Sequence, residues 1–266
     1  MAAPPLLTIV IPVYNEGANF PALWSTIASS IRTPFSAIVV YDFDKDDTLP
    51  VVKGIIASGE SRIRLHKNSY GRGVTGAIKS GLEAVDSGPV LVTMADLSDD
   101  LTQVDEMYGL YLEGFDLICG SRYMKGGRLI GGPFFKQMMS RFSGLSLYYL
   151  RGIPTHDATN SFKLYDAAMV RELGVESVAG FELGLELTVK AFLNGYRIAE
   201  IPSTWRDRTA GKSRFKIVEW LPHYLKWYFH AFRPARKSGR AAREPRTSSS
   251  EQKEHPMPAG EQRMDL

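Results

Sequence analysis

Four polar clusters in this sequence each stand at the end of an apolar run. Tyr14-Asn15-Glu16 follows Leu6–Val13, and Asp42, Asp44, Asp46 and Asp47 gather at the end of Ala37–Phe43. Asp96, Asp99 and Asp100 follow Val90–Met94, and Arg122 follows Asp116–Cys119. Carboxylates converging at one edge are costly unless a cation or a hydrogen-bonding ligand compensates them. Hard oxygen donors near phosphate suit Mg²⁺ or Mn²⁺. An Asp after a strand also often caps the next helix. Asp46, Asp47, Asp99 and Asp100 are expected to cap or to face solvent. Asp42 and Asp96, directly after apolar runs, are expected to face a ligand.

Other chemistries find less support. His66, His156, His223, His230 and His255 show no metal-ligand spacing, and no Gly-x-Ser-x-Gly elbow is present. Gly71-Arg72-Gly73 precedes a helix but lacks the spacing of a dinucleotide or Walker loop. Cys119 lies inside an apolar strand and reads as packing.

The elements that must position these groups alternate. Leu6–Val13, Ala37–Phe43, Arg62–His66, Val90–Met94 and Asp116–Cys119 read as strands, and Asn19–Ile31, Leu49–Ala57, Val74–Val85 and Leu101–Leu112 as helices. Later, Phe134–Leu150 and Phe181–Leu193 read as helices and Ser161–Tyr165 and Arg197–Ile201 as strands. The fold class is α/β, a mostly parallel sheet with helices on both faces. Ligands of such sheets bind outside the carboxyl ends of the strands, where the polar clusters fall.

At 266 residues, 44% hydrophobic and 23% charged, the chain can bury a sizeable core, which excludes a mainly disordered chain or a disulfide-stapled miniprotein. One cysteine cannot form an internal bridge, so the chain reads as intracellular. The charge-free stretches Met1–Asn15 and Gly17–Ile31 are too short to span a bilayer, and MAAPP lacks the basic start of a secretory signal. Net charge is +3 but unevenly spread: residues 206–246 carry 12 Lys and Arg against 3 acids. Within Phe215–Phe232, Lys216, Glu219, His223, Lys226 and His230 form one narrow helical stripe, and Trp220, Tyr224, Trp227 and Tyr228 are side chains that favour interfaces. With Arg233, Arg236, Lys237, Arg240, Arg243 and Arg246 behind it, this segment suits a helix lying on an anionic membrane. Its alternative role is packing on the catalytic domain or on a membrane subunit. Pro222 is expected to kink or split it. The expected organisation is a catalytic domain over 1–212, an amphipathic membrane-surface helix over 213–232 and a basic, disordered tail over 233–266. No nucleic-acid module is visible.

IPVYNE, the acidic cluster after the second strand, ADLSDD, GSRYMKGG, DATNSFKLY and EIPSTWRDRTAGKSRF occur here in one order. Together they resemble the family 2 inverting glycosyltransferases of GT-A fold, over roughly residues 6–232. Within that family the chain is most similar to the dolichyl- and polyprenyl-phosphate mannosyltransferases and their glucosyl relatives. The resemblance implies that Pro12, Tyr14 and Glu16 begin the nucleotide site and that Val40 and Asp42 cup the base and ribose. It implies that Ala95 and Asp96 fall in the Asp-x-Asp motif, with Asp96 and Ser98 as metal positions for Mg²⁺ or Mn²⁺. Arg122 matches an arginine near the sugar phosphate, and Arg208 and Arg214 match basic positions of a closing loop. The implied catalytic set is Asp96, Arg122 and Arg208.

The sequence departs from the pattern at Met94 and Tyr41, where the family has Asp, at Arg214, where it has Lys, and in Thr159-Asn160-Ser161-Phe162-Lys163. The implied reaction moves a sugar from a nucleotide-diphosphate donor, GDP-mannose or UDP-hexose, to a polyprenyl or dolichyl phosphate, peripherally on the cytoplasmic face of a membrane. A phosphate acceptor with a second pKa near about 6 is largely dianionic at neutral pH and needs no strong base. A hydroxyl acceptor would need one, from Asp157 or Asp99. The alternatives are therefore a hydroxyl-directed glycosyltransferase and a nucleotide-sugar-binding protein with a decayed site.

Overall fold

The structure is a computed structural model of the chain, and it describes residues 4–178, 180–207, 217–235 and 246. Seven strands form the central sheet: β1 (Leu7–Val13), β2 (Phe35–Tyr41), β3 (Ile63–Lys67), β4 (Pro89–Val92), β5 (Leu117–Ser121), β7 (Lys163–Asp166) and β8 (Ile198–Pro202). Their order is β3-β2-β1-β4-β7-β5-β8, and β7 alone runs antiparallel to its neighbours. Two short strands, β6 (Arg128–Ile130) and β9 (Thr204–Arg206), pair in parallel beside it. Strands β1, β2, β4 and β5 therefore carry their carboxyl ends to one edge.

Alternation along β1 explains the two-sided core. Leu7, Ile9, Ile11 and Val13 face helices α1 (Phe20–Ser30), α2 (Thr48–Ala57) and α4 (Val104–Leu112). Val10 faces the opposite layer of α3 (Val74–Glu83), α6 (Ala167–Leu173) and α7 (Leu183–Leu193). Helix α3 lies directly on β1 because Gly81 has no side chain; a Cβ there would stand 2.4 Å from a Val10 methyl. A third cluster joins α7 to α8 (Ile217–His230) through Leu185, Val189 and Trp227, with Leu147 just after α5 (Phe134–Ser146).

Most elements fall where the apolar periodicity puts them. The segment Leu101–Leu112 divides into a 3-10 turn, Leu101–Gln103, and α4. Helix α5 ends in a π turn, Leu147–Arg151, closed by Gly152 at φ +75°. The periodicity gives no sign of β6, β9 or α6, whose three to seven residues are too few to show a period. Helix α8 is a single helix through Pro222. That proline sits in the second turn, where one i−4 bond is lost rather than the helix split.

Candidate active site

A cleft of ≈1000 Å³ opens at the carboxyl edge of the sheet. It gathers Pro12, Tyr14 and Glu16 from the end of β1, Asp42 from β2, Ala95, Asp96 and Ser98 from β4, and Arg122 from β5. These clusters lie 24 or more residues apart in sequence and meet because parallel strands end together. Val40 is the exception among the described candidates. Its side chain is fully buried with Val10 and Ile38 beneath α3. Two residues before Asp42, it lies deeper in the sheet, and its side chain is not part of the cleft lining. Arg208 and Arg214 lie outside the described residues.

At the β1–β2 end the groups are tightly interlocked. Asp42 accepts Asn68 Nδ2 at 2.7 Å and the Gly73 amide at 2.9 Å, so it also fixes the start of α3. Tyr14 meets Phe43 edge-on at 5.3 Å, and the Arg72 guanidinium lies 5.0 Å over the same Phe43 ring. Asn15 adopts φ 52° and is held through its amide by Asp46 Oδ2 at 3.1 Å. Asp46 also binds the Thr48 amide at 2.9 Å, and Asp47 accepts the Gly17 amide at 2.8 Å. These two acids hold the turns after β1 and β2 together, and Asp47, at the N-cap of α2, makes no side-chain cap bond.

After β4 the chain turns sharply through Leu97, a non-glycine residue at φ 60°. Such backbone is uncommon for a γ-branched side chain and is found at sites that need it. The turn lets Asp96 Oδ1 accept the Ser98 amide at 3.1 Å, with Asp96 on the cleft wall. Asp100 caps the 3-10 turn by accepting the Thr102 amide at 3.3 Å, and it also accepts Thr102 Oγ1 at 2.6 Å. Asp99 caps no helix and is half-buried. It accepts Thr93 Oγ1 at 3.0 Å and the Met94 amide at 3.1 Å. Burial first, and then the charge of Asp96, pushes its carboxyl up to about 7, against the pull of those hydrogen bonds and of Arg122. The unfolded chain therefore ionises this group before the folded one does. Unfolding releases a proton between about pH 4 and 7, and stability falls as pH rises through that window, by up to ~1.4 kcal/mol per pH unit. Asp99→Asn should flatten this slope in metal-free protein, read from denaturant midpoints between pH 4 and 8; an unchanged slope would reject the assignment.

Arg122 is clamped. Its Nε and Nη2 bind Asp157 Oδ2 and Oδ1 at 2.6 and 2.8 Å, and its amide also donates to Oδ2 at 3.0 Å. Burial opposes the Arg122 charge, but Asp157 more than offsets it and holds the guanidinium above its ordinary value. Asp157 is fully buried, with both oxygens engaged by this fork. The adjoining loop brings Thr159, Asn160 and Ser161 to the cleft. Lys163 secures it from below, donating to the carbonyls of Ala158 at 2.8 Å, Gly184 at 3.3 Å and Asn160. Complete burial lowers the Lys163 pKa.

The other end of the cleft is apolar. Helix α5 contributes Phe142, β9 contributes Trp205, and α8 contributes Trp220, Tyr224, Leu225 and Tyr228. Tyr228 OH is 3.0 Å from Ser146 Oγ, and Arg151 Nε donates to the Ala231 carbonyl at 2.6 Å, which ties α8 to the end of α5. Trp227, grouped by sequence with the interface aromatics, is instead buried in the third core cluster. Outward from these elements stand Phe134 (78% exposed), Phe142 (70%), Tyr149 (74%) and Phe229 (64%). An apolar helix stripe normally reads as core, so periodicity gives no sign that these side chains face outward. Among the described residues no helix is long and apolar enough to cross a membrane. Nor is there, among them, a group of three His, Cys, Asp or Glu placed to hold a metal alone.

Residues 8–174 match the model of the family described as Glycosyl transferase family 2. The chain belongs to this family. It is a glycosyltransferase, and its sheet and helices have the GT-A arrangement. Among curated relatives, the polyprenol monophosphomannose synthase of Mycolicibacterium smegmatis is 26% identical over 227 residues, covering 80% of this chain and 85% of that one. The dolichol-phosphate mannosyltransferase of Pyrococcus furiosus is 27% identical over 232 residues, covering 83% of this chain; the match spans only 64% of the Pyrococcus protein. A solved structure of glucosyl-3-phosphoglycerate synthase from Mycobacterium tuberculosis, with Mn²⁺, UDP-glucose and phosphoglyceric acid, has a TM-score of 0.63 at 16% identity, covering 85% of this glycosyltransferase and 79% of that chain. The same enzyme with Mg²⁺ and UDP gives a TM-score of 0.60 at 19% identity, with coverages of 85% and 78%. At these identities the structural likeness concerns the fold.

Proposed function

We propose that this glycosyltransferase moves a hexose from a nucleoside-diphosphate donor to a polyprenyl or dolichyl phosphate at the cytoplasmic surface of a membrane. One observation carries the reading: a single cleft joins a polar, acid-lined end at the strand termini to an aromatic end between α5 and α8. A charged donor fits the first and the prenyl end of a lipid phosphate fits the second. The curated relatives, a polyprenol monophosphomannose synthase and a dolichol-phosphate mannosyltransferase, support it. The exposed aromatics of α5 and α8, with the basic residues after them, suit a peripheral attachment to anionic lipid.

In this reading Tyr14 and Glu16 contact the nucleotide, and Asp42, held by Asn68 and Gly73, faces the ribose. Asp96 and Ser98 fit Mg²⁺ or Mn²⁺: the donors are hard oxygens, too few to complete a shell alone, and a diphosphate brings the remainder. When bound, the ion supplies Lewis-acid stabilisation of the charge on the departing diphosphate. Arg122, fixed by Asp157, sets a positive charge on the cleft wall and reduces repulsion between two anionic substrates. Arg208 and Arg214, outside the described residues, are assigned to the phosphates by the family pattern alone. A hydroxyl acceptor suits the site less well. Asp157 is bound on both oxygens by Arg122, and Asp99 accepts Thr93 Oγ1 and the Met94 amide. A phosphate acceptor requires neither as a base.

The test is transfer from radiolabelled GDP-mannose and UDP-glucose, with polyprenyl phosphate in vesicles or with water-soluble acceptors. Label should pass into organic-extractable lipid and only with the lipid phosphate present. Label confined to a soluble acceptor would overturn the reading.

A further inference from the structure

A second polar site lies at the opposite end of the sheet from the cleft. Asp116 directly precedes β5, and Asp166 ends the antiparallel β7, so the two carboxylates arrive at one edge; the Asp166 amide bonds the Asp116 carbonyl at 2.8 Å. Beside them α4 ends, and its last carbonyls stand at the negative pole of its dipole. The site is braced by its own neighbours. Asp116 Oδ2 accepts the Arg197 amide at 3.0 Å, and Asp166 caps α6 by accepting the Met169 amide at 2.9 Å.

Arg246 fills this site. Its Nη1 donates to the carbonyls of Tyr111 at 2.8 Å and Phe115 at 2.6 Å. Its Nη2 reaches Asp116 Oδ1 at 2.9 Å and Asp166 Oδ2 at 3.1 Å. Its amide donates to the Leu112 carbonyl at 2.7 Å, and the guanidinium stacks 4.0 Å over the Tyr111 ring. The side chains of Arg246, Asp116 and Asp166 are 16%, 5% and 7% exposed. A planar fork with donors on both edges matches two carbonyls on one side and two carboxylates on the other; an ammonium would not.

We propose that this pocket is a receptor for the chain's own C-terminal tail, with Arg246 as the group it recognises. Arg151 holds the tail's beginning separately, through the carbonyls of Ala231 and Arg233 at 2.6 and 2.9 Å. Arg233 and Arg246 are then two anchor points, and Arg236, Lys237, Arg240 and Arg243 lie between them in sequence. The thirteen residue-to-residue steps from Arg233 to Arg246 span at most about 45 Å. This inference does not depend on the substrate of the cleft.

Hydrogen exchange on the full-length protein tests it. Amides of residues 244–248 should exchange at least about tenfold more slowly in the wild type than in Arg246→Ala, with Arg246→Lys between them. A synthetic peptide of residues 241–252 added to the Arg246→Ala protein should slow exchange of the Glu113–Leu117 amides. Tail amides that exchange as fast in the wild type as in Arg246→Ala, or a peptide without effect on Glu113–Leu117, would overturn the proposal.

Discussion

Replacing Asp96 with alanine is expected to lower sugar transfer by about a hundred- to a thousandfold, the scale of losing one group that stabilises developing negative charge. The site has little redundancy. The residue two before it, an Asp in the family pattern, is Met94 here, and Asp99 is engaged by Thr93 Oγ1 and the Met94 amide. The bond it accepts from the Ser98 amide is worth about 1 kcal/mol, so the loss of transfer should far exceed that bond's share of stability. A second consequence follows from electrostatics. The Asp96 charge helps to raise the Asp99 carboxyl, so Asp96→Ala should move the Asp99 titration downward. Turnover near that of the wild type in a well-folded Asp96→Ala protein would show that the diphosphate is stabilised elsewhere.

Arg122→Met should cost both stability and transfer. It leaves the fully buried Asp157 carboxylate without the fork that binds both oxygens, a loss of about 3–5 kcal/mol for breaking such a pair from one side. The double replacement Arg122→Met, Asp157→Asn separates the two effects. Asn carries no charge to strand and keeps an oxygen for the Arg122-position amide, so most of the lost stability should return. Transfer should not return, because the positive charge on the cleft wall is still missing. Recovery of turnover along with stability would reduce Arg122 to a structural role. Thermal midpoints and turnover measured on all three proteins give the answer.

The positions of Asp42 and Asp96 were legible because two local facts combine: each follows an apolar strand, and parallel strands open their sites at one edge. Other residues needed information that no local pattern holds. Val40 stands two residues before Asp42, and only the depth to which α3 covers β2 leaves the first buried and the second at the cleft. Asp99 sits where a cap is common, and the left-handed turn at Leu97 redirects it to Thr93 and Met94. The stripe in α8 showed an amphipathic helix, yet nothing in it separated Trp227, which packs on α7, from Tyr224 and Tyr228, which line the cleft. The outward aromatics of α5 follow a pattern that is core elsewhere. The antiparallel β7 and the Arg246 pocket arise from contacts between segments far apart in the chain.

The anchoring of a diphosphate at Asp96 is tested most directly by calorimetric titration of GDP and UDP, with Mn²⁺ and with EDTA, into full-length wild type and Asp96→Asn. Mn²⁺ should strengthen binding of the preferred nucleotide at least about tenfold, roughly 1.4 kcal/mol, in the wild type and leave Asp96→Asn nearly unchanged. Equal strengthening in both proteins, or none in the wild type, would contradict it.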